Sequence, residues 1–416
     1  MPVEATDTLV VGGGQSGIAM SEHLSASNIP HIVLERKRIA ENWTSMRWDS
    51  LVANGPAWHD RFPNLAFDDV HPDAFPAKDR VARYFSDYAA MIKAPIRTGV
   101  EVTKVKPSQG RHGYAVTTSE GVIEARRVVA ATGPFQVPAF PRIVPADAVV
   151  DQLHSSAYRN PGQLADGAVL VVGCGASGSQ IAEELCKAGR RVYLSVGEHY
   201  RPPRAYRQRD YCWWLGALGL WDEVKSKRKK RHVAFAVSGY DGGRTVDFRR
   251  LAHQGITLVG VTRSYEKGLL HFENDLAKHI AEGDEAYFDV LREADAYIER
   301  RGLDLPAEPE AWRRFDDPDC LRQPILSLDL SASGIGTILW ATGFKYDFSW
   351  LEVDAFDEHG MPLHKRGISA ENGIYFLGLP DLTNRASAFI YGCWQDAKHI
   401  ADHIVIQRNY DAYTRG

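Results

Sequence analysis

Short apolar, β-branched runs alternate with amphipathic stretches along this chain, and the alternation predicts its architecture. Thr8 to Val11 suits a buried parallel strand, Ile18 to Ser25 a helix, and Ile32 to Leu34 a second strand ending in Glu35. Asp79 to Ile92 puts Val81, Tyr84, Phe85, Tyr88 and Ala89 on one helical face. Thr98 to Val105 and Tyr114 to Thr118 read as strands of a small antiparallel insertion closed by Val122 to Ala130. The strand–helix–strand order then returns with Val169 to Val172, Ser179 to Ala188 and Val192 to Val196. Asp284 to Arg301 is helical, Gly336 to Trp340 an apolar strand, Ile374 to Gly378 the last strand and Ala386 to Ile404 a long final helix. Glu41 to Arg61, with Trp43, Trp48 and Trp58, lacks a period and reads as a long ordered loop. Pro134 to Pro161 reads as a linker. The expected fold is α/β, with two Rossmann-like dinucleotide-binding domains, the second inserted into the first. The expected boundaries are 1–155 plus 325–416 for one domain and 156–324 for the other.

Glycines punctuate both units in the same way. The first strand runs into Gly12-x-Gly14-x-x-Gly17, with Gln15 and Ser16 inside the turn. Gly12 allows the turn, Gly14 lets a pyrophosphate approach the backbone, and Gly17 lets the helix pack on the strand. The helix start offers free N–H groups to phosphate. Glu35 stands where a carboxylate takes hydrogen bonds from an adenosine ribose. Gly173-x-Gly175-x-x-Gly178, with Ser177 in the turn, repeats the pattern. Two such units imply two dinucleotide sites.

Composition narrows the class. The chain has 416 residues, a net charge of −4 and 44% hydrophobic residues, as an ordinary globular protein has. The mild acidity points to neither nucleic acid nor a membrane surface. The N-terminus enters a strand almost at once and no apolar run has the length of a membrane helix, so the expected location is cytoplasmic. Five scattered cysteines without a C-x-x-C argue against a disulfide scaffold, a bound metal and a dithiol relay. The basic run Lys225 to His232 reads as a solvated loop.

With Ala131-Thr132-Gly133 and Ala341-Thr342-Gly343 each following a strand, His154-Ser155-Ser156-x-Tyr158, and the closing G-I-Y-F-L-G-L-P, the two glycine motifs resemble the flavin-containing monooxygenase superfamily, nearest its bacterial and YUCCA-type branches. The likeness covers nearly the whole chain. It implies FAD at the first glycine site, NADPH at the second, and Thr132, Gly133, Thr342 and Gly343 among the cofactor contacts. It also implies oxygen transfer to a small organic substrate through a C4a-hydroperoxyflavin, in a dry pocket. Trp43, Trp48, Trp58, Trp213, Trp214, Tyr391 and Trp394 are candidates for its lining. Trp48-Asp-Ser50-Leu-Val-Ala-Asn54 is similar to the family's stretch beside the flavin, which makes Asn54 the catalytic candidate; its other reading is the start of an Asn-Gly turn. The fingerprint before His154 departs from the family at Ala148 and Val150, and a linker histidine bonded to backbone is the alternative there.

At the second site the strand ends Leu194-Ser195-Val196-Gly197, with no acid at the ribose-reading position. Ser195 and the arginines at 201, 204, 207 and 209, Arg204 and Arg207 foremost, are the candidates to hold a 2′-phosphate, favouring NADPH over NADH. Two other readings stay open: an FAD-dependent NAD(P)H oxidoreductase without oxygen insertion, and a nucleotide-binding redox sensor. A Baeyer–Villiger ketone oxidase fits less well, since Tyr158 stands where that fingerprint has tryptophan. Substrate, oxidised atom and oligomeric state are not legible.

Overall fold

The computed structural model describes residues 4–108, 113–224 and 234–413; the basic run at 225–232 lies outside them. The first sheet is built around Glu4–Val11, whose Leu9 and Val10 are wholly buried. Parallel neighbours flank it in the order Ile96–Thr98, His31–Glu35, Glu4–Val11, Gly121–Ala130, Ile374–Phe376. Val10 stands opposite Val33 on one side and Val129 on the other, and since Leu9 and Val10 point to opposite faces and are both buried, the strand has no polar face. Gly121–Ala130 serves two partners. Its start pairs antiparallel with Tyr114–Thr118, and its end pairs parallel with Ile374–Phe376. Thr98 to Val105 is not one strand: Ile96–Thr98 joins the parallel sheet, and Val102–Pro107 joins the antiparallel insertion after Gly99 turns the chain at φ +78°. Helix Lys78–Met91 buries the five apolar positions expected of it. Helix Gln15–Ala26 packs on the final helix, Ile390–Tyr413, with the His23 and Trp394 rings 4.3 Å apart.

The second sheet is parallel throughout, in the order Thr257–Val259, Val192–Ser195, Ala168–Val172, Ile335–Trp340, Asp151–His154. This corrects the expected boundaries. Residues 151–154 and 335–340 were assigned to the first domain, yet their strands complete the second sheet. The periodicity could not reveal this, because an apolar strand pairs equally well in either sheet. The two crossings therefore run between Ala130 and Asp151 and between Trp340 and Ile374. They pair with each other through Val137–Pro138 and Phe344–Lys345, a short antiparallel ribbon joining the two units. No helix among the described residues is long and apolar enough to cross a membrane.

Candidate functional site

The two glycine turns are near-copies. Gly12 adopts φ +114° and Gly173 φ +104°, a region that disfavours side chains. At each, a Cβ would meet the carbonyl of the following Ala-Thr-Gly segment: Ala131 O at 2.6 Å, Ala341 O at 2.5 Å. A Cβ on Gly17 or Gly178 would lie 1.8 Å from the carbonyl of Gly12 or Gly173, so these glycines let each helix press on its turn. Gly14 differs: a Cβ there meets nothing within 4 Å. Its freedom from side chain is not required by the protein's own packing, and it opens on the cleft where a pyrophosphate would pass. Gly14 and Gly175 are the extended N-caps of helices Gln15–Ala26 and Ala176–Lys187, and neither helix has a side-chain cap. Their first N–H groups remain for a ligand. Glu35 Oε2 accepts from Gly13 N at 2.8 Å and Oε1 from Lys37 N at 2.9 Å, which pins the carboxylate beside the first turn.

Both turns open into one cleft of about 1200 Å³ between the units. It exceeds the ~300–1,000 Å³ of a site for one drug-sized ligand. Its walls hold Gly12, Gly14, Gln15, Ser16, Glu35, Trp43, Asn54, Thr132 and Gly133 from the first unit's side. Gly173, Gly175, Ser177, Arg204, Thr342 and Gly343 line it from the second. Asn54 is fixed from the second unit: Gln180, on the helix after the second glycine turn, donates its Nε2 to Asn54 Oδ1 at 3.0 Å and to Val237 O at 2.8 Å. The Asn54 Nδ2 has no acceptor among the described residues, and the residue lines the cleft as a donor.

Of the four candidate arginines, only Arg204 lines the cleft. Arg201 is buried against Asp284 and Asp247. Arg207 lies outside the cleft lining, with Nε on Asp295 at 2.7 Å. Arg209 lies over the Trp213 ring. Arg204 does line the cleft, but Asp210 accepts from it at 2.6 and 2.7 Å and the Asn54 carbonyl at 2.5 Å. Ser195 is 3% exposed and gives its hydroxyl hydrogen to Gly260 O at 2.8 Å while accepting from Thr262. It clamps the end of strand Val192–Ser195 to the segment after Thr257–Val259 and does not line the cleft. Sequence spacing located these groups near the second strand's end but could not show that local carboxylates and carbonyls occupy them.

The aromatic expectation divides. Trp43 and Trp48 line the cleft; Trp214 is sealed against Tyr206 and Leu291, and Trp394 donates to Glu22 at 2.7 Å. Tyr211, Leu215, Trp221, Phe235 and Phe389 also line the cleft, none of them among the expected lining residues. His154 is 2% exposed, donates from Nε2 to Gly343 O at 2.9 Å and accepts at Nδ1 from Ser156 N at 3.1 Å. That fixes a neutral tautomer, and burial holds its pKa below the ordinary value. It is a histidine bonded to backbone, tying the end of strand Asp151–His154 to the second crossing. Tyr158 and Ser50 both donate to Glu184 at 2.6 Å, latching the Asn54 loop to the second unit.

All five cysteines are free thiols. Cys174 and Cys212 line the cleft; burial pushes Cys174 up to about 11 and Cys212 well above the ordinary thiol range. Neither is poised as a thiolate. Among the described residues no group of three or more His, Cys, Asp or Glu could hold a metal ion.

The sequence pattern of the pyridine nucleotide-disulphide oxidoreductase family matches residues 9–216, half of the chain. An uncharacterized CzcO-like oxidoreductase of Geobacillus kaustophilus is 32% identical over 405 residues, spanning 96% of this chain and 98% of its own. The indole-3-pyruvate monooxygenase YUCCA1 of Oryza sativa is 33% identical over 193 residues, covering 45% of this chain and 47% of its own. Among solved structures, a flavin-containing monooxygenase from Stenotrophomonas maltophilia shares the fold with a TM-score of 0.66 over 97% of this chain and 99% of that chain, at 18% identity. The chain belongs to the pyridine nucleotide-disulphide oxidoreductase family, and these relatives stand behind the resemblance of its motifs to the flavin-containing monooxygenase superfamily.

Proposed function

We propose that the protein is an FAD- and NADPH-dependent monooxygenase acting on a small organic substrate. The observation that carries this reading is the Asn54 amide, held with its donor on a cleft into which two dinucleotide turns open together. The residues fit both cofactors. Gly14, the capless start of Gln15–Ala26 and Glu35 suit FAD; Gly175, Ser177 and the start of Ala176–Lys187 suit the nicotinamide nucleotide. When bound, FAD supplies the hydride acceptor and the site of oxygen activation. The protein's own part is to hold, orient and keep dry. Asn54 would donate a hydrogen bond toward the reacting centre, and Tyr211, Trp221, Phe235 and Phe389 would present apolar surface to the substrate and exclude water. That aromatic lining suits a substrate with an aromatic or heterocyclic ring.

Within the alternative without oxygen insertion, the disulfide-reducing branch has weaker support. Disulfide reduction asks for a paired, reactive thiol, and the two cysteines in the cleft are protonated by burial. Asn54→Ala tests the reading. It should leave FAD content and reduction by NADPH intact, while hydrogen peroxide replaces oxygenated product. The loss of one hydrogen bond to the reacting centre, ~1–3 kcal/mol, corresponds to roughly 5- to 150-fold. Wild-type coupling in that variant would reduce Asn54 to a turn residue.

A further inference from the structure

Five cationic side chains line the cleft: Arg36, Lys37, Arg47, Arg204 and Arg385. Lys37 lies 3.9 Å from Glu41, Arg204 meets Asp210 and Arg385 meets Glu223. Arg36 is exposed, and water screens it. Arg47 is half-buried, yet no carboxylate lies within ion-pair distance of it among the described residues. The residues outside that set include no Asp or Glu, so no acidic side chain is missing from the count. Arg47 gives one Nη1 hydrogen to its neighbour's carbonyl, Met46 O, at 3.2 Å, and its guanidinium carbon lies 4.5 Å from the Phe135 ring centre. Loss of water alone presses its pKa down to about 10. A cation partly withdrawn from water and given no counter-charge is a ready site for a ligand that brings one.

We propose that Arg47 is an anion-binding residue of the cleft, and that its ligand is the diphosphate of a bound dinucleotide. The inference rests on the two-dinucleotide reading above. Position selects the diphosphate. Phe135, on which the guanidinium rests, follows the Ala131-Thr132-Gly133 segment that abuts the first glycine turn. The Arg47 segment is also tied to the second unit. Asp49 N donates to Arg159 O at 2.7 Å, and Arg159 donates to Ser45 O. Arg47 thus stands where the two units meet, with the uncapped helix starts at Gly14 and Gly175 opening on the same cleft. Its planar fork can grip two phosphate oxygens, which a backbone turn alone does not do.

The test is binding by Arg47→Gln and Arg47→Lys protein, each checked for wild-type circular dichroism and thermal melting. FAD affinity is measured by reconstituting the apoprotein, and NADP⁺ and NAD⁺ affinity by calorimetry on the holoprotein. Arg47→Gln should weaken one dinucleotide by about 10- to 100-fold, the loss of a charge-assisted contact, and Arg47→Lys should recover part of it. A weaker FAD with unchanged NADP⁺ assigns the FAD diphosphate. An equal weakening of NADP⁺ and NAD⁺ with FAD retained assigns the nicotinamide nucleotide. Wild-type affinity for all three in folded Arg47→Gln overturns the proposal and leaves the monooxygenase reading standing. Wild-type protein that binds neither FAD nor NADP⁺ removes both.

Discussion

Gln180 donates to Asn54 Oδ1 at 3.0 Å across the boundary between the two units. The bond decides which end of the Asn54 amide meets the cleft. Gln180 spends its second amide hydrogen on Val237 O at 2.8 Å, so its own orientation is set as well. Gln180→Glu replaces a donor by an acceptor. Asn54 then turns its NH₂ toward residue 180 and offers a carbonyl oxygen to the cleft. The expected outcome is retained FAD and retained reduction by NADPH, with peroxide release raised roughly fivefold for a lost bond of ~1 kcal/mol. Gln180→Leu should do less, since Asn54 is left free to choose. Equal peroxide yields in wild type and Gln180→Glu would separate Gln180 from the chemistry.

Gly14 and Gly17 should part company under substitution. Gly14→Val puts its side chain into open space, so the protein should fold and melt as FAD-free wild type does, yet purify without yellow colour. Gly17→Ala drives a methyl to 1.8 Å from Gly12 O, and overpacking of this kind costs ~1–3 kcal/mol. Its thermal melting should fall. A yellow Gly14→Val at full flavin occupancy would contradict the assignment of the first turn.

Arg204 and Arg207 should behave as structural residues toward the cofactor. Arg207 is a partly exposed partner of Asp295, and its removal should leave the NADPH KM within about twofold, with stability changed by ~1 kcal/mol or less. Arg204→Ala strands the buried side of Asp210, a loss of ~3–5 kcal/mol, and should raise KM for NADPH and NADH alike. A loss confined to NADPH in either variant would restore the 2′-phosphate role.

Acid should destabilise the fold through histidines. His23, His31, His154 and His199 are all held below the ordinary value chiefly by burial, His199 down to about 4. The folded state keeps them neutral while the unfolded chain protonates them near 6.5, so unfolding takes up protons. Their stabilisation is full above pH 6.5 and is lost as pH falls below it, for His199 over the range down to about 4. The His199 shift alone corresponds to about 3 kcal/mol. His199→Gln should flatten the fall of melting temperature over that window; an unchanged slope would assign it elsewhere.

Much of the fold was legible because parallel strands with both faces covered read as apolar runs, and because Gly12 and Gly173 have a conformation few other residues adopt. Pairing was less legible: nothing in the run Ile335–Trp340 says which sheet it completes. At the site, the glycine turns were readable from spacing, and Asn54 only from the resemblance of its stretch to the family's. The fate of Ser195 and Arg204 was not, since it depends on Thr262 and Asp210, groups brought in by folding. Arg47 and Gln180 carried no motif. Their significance lies in a missing partner and in a bond that spans two domains, and neither is written in one stretch of sequence.

The central claim is that the two dinucleotides meet in one dry cleft where oxygen is held for transfer. Stopped-flow spectra of NADPH-reduced, FAD-loaded protein mixed with oxygen test it most directly. The account predicts a flavin spectrum distinct from both the reduced and the oxidised forms, persisting before the oxidised spectrum returns, and shortened in Asn54→Ala. A single-step return to oxidised flavin, with stoichiometric peroxide in wild type and variant alike, would contradict it.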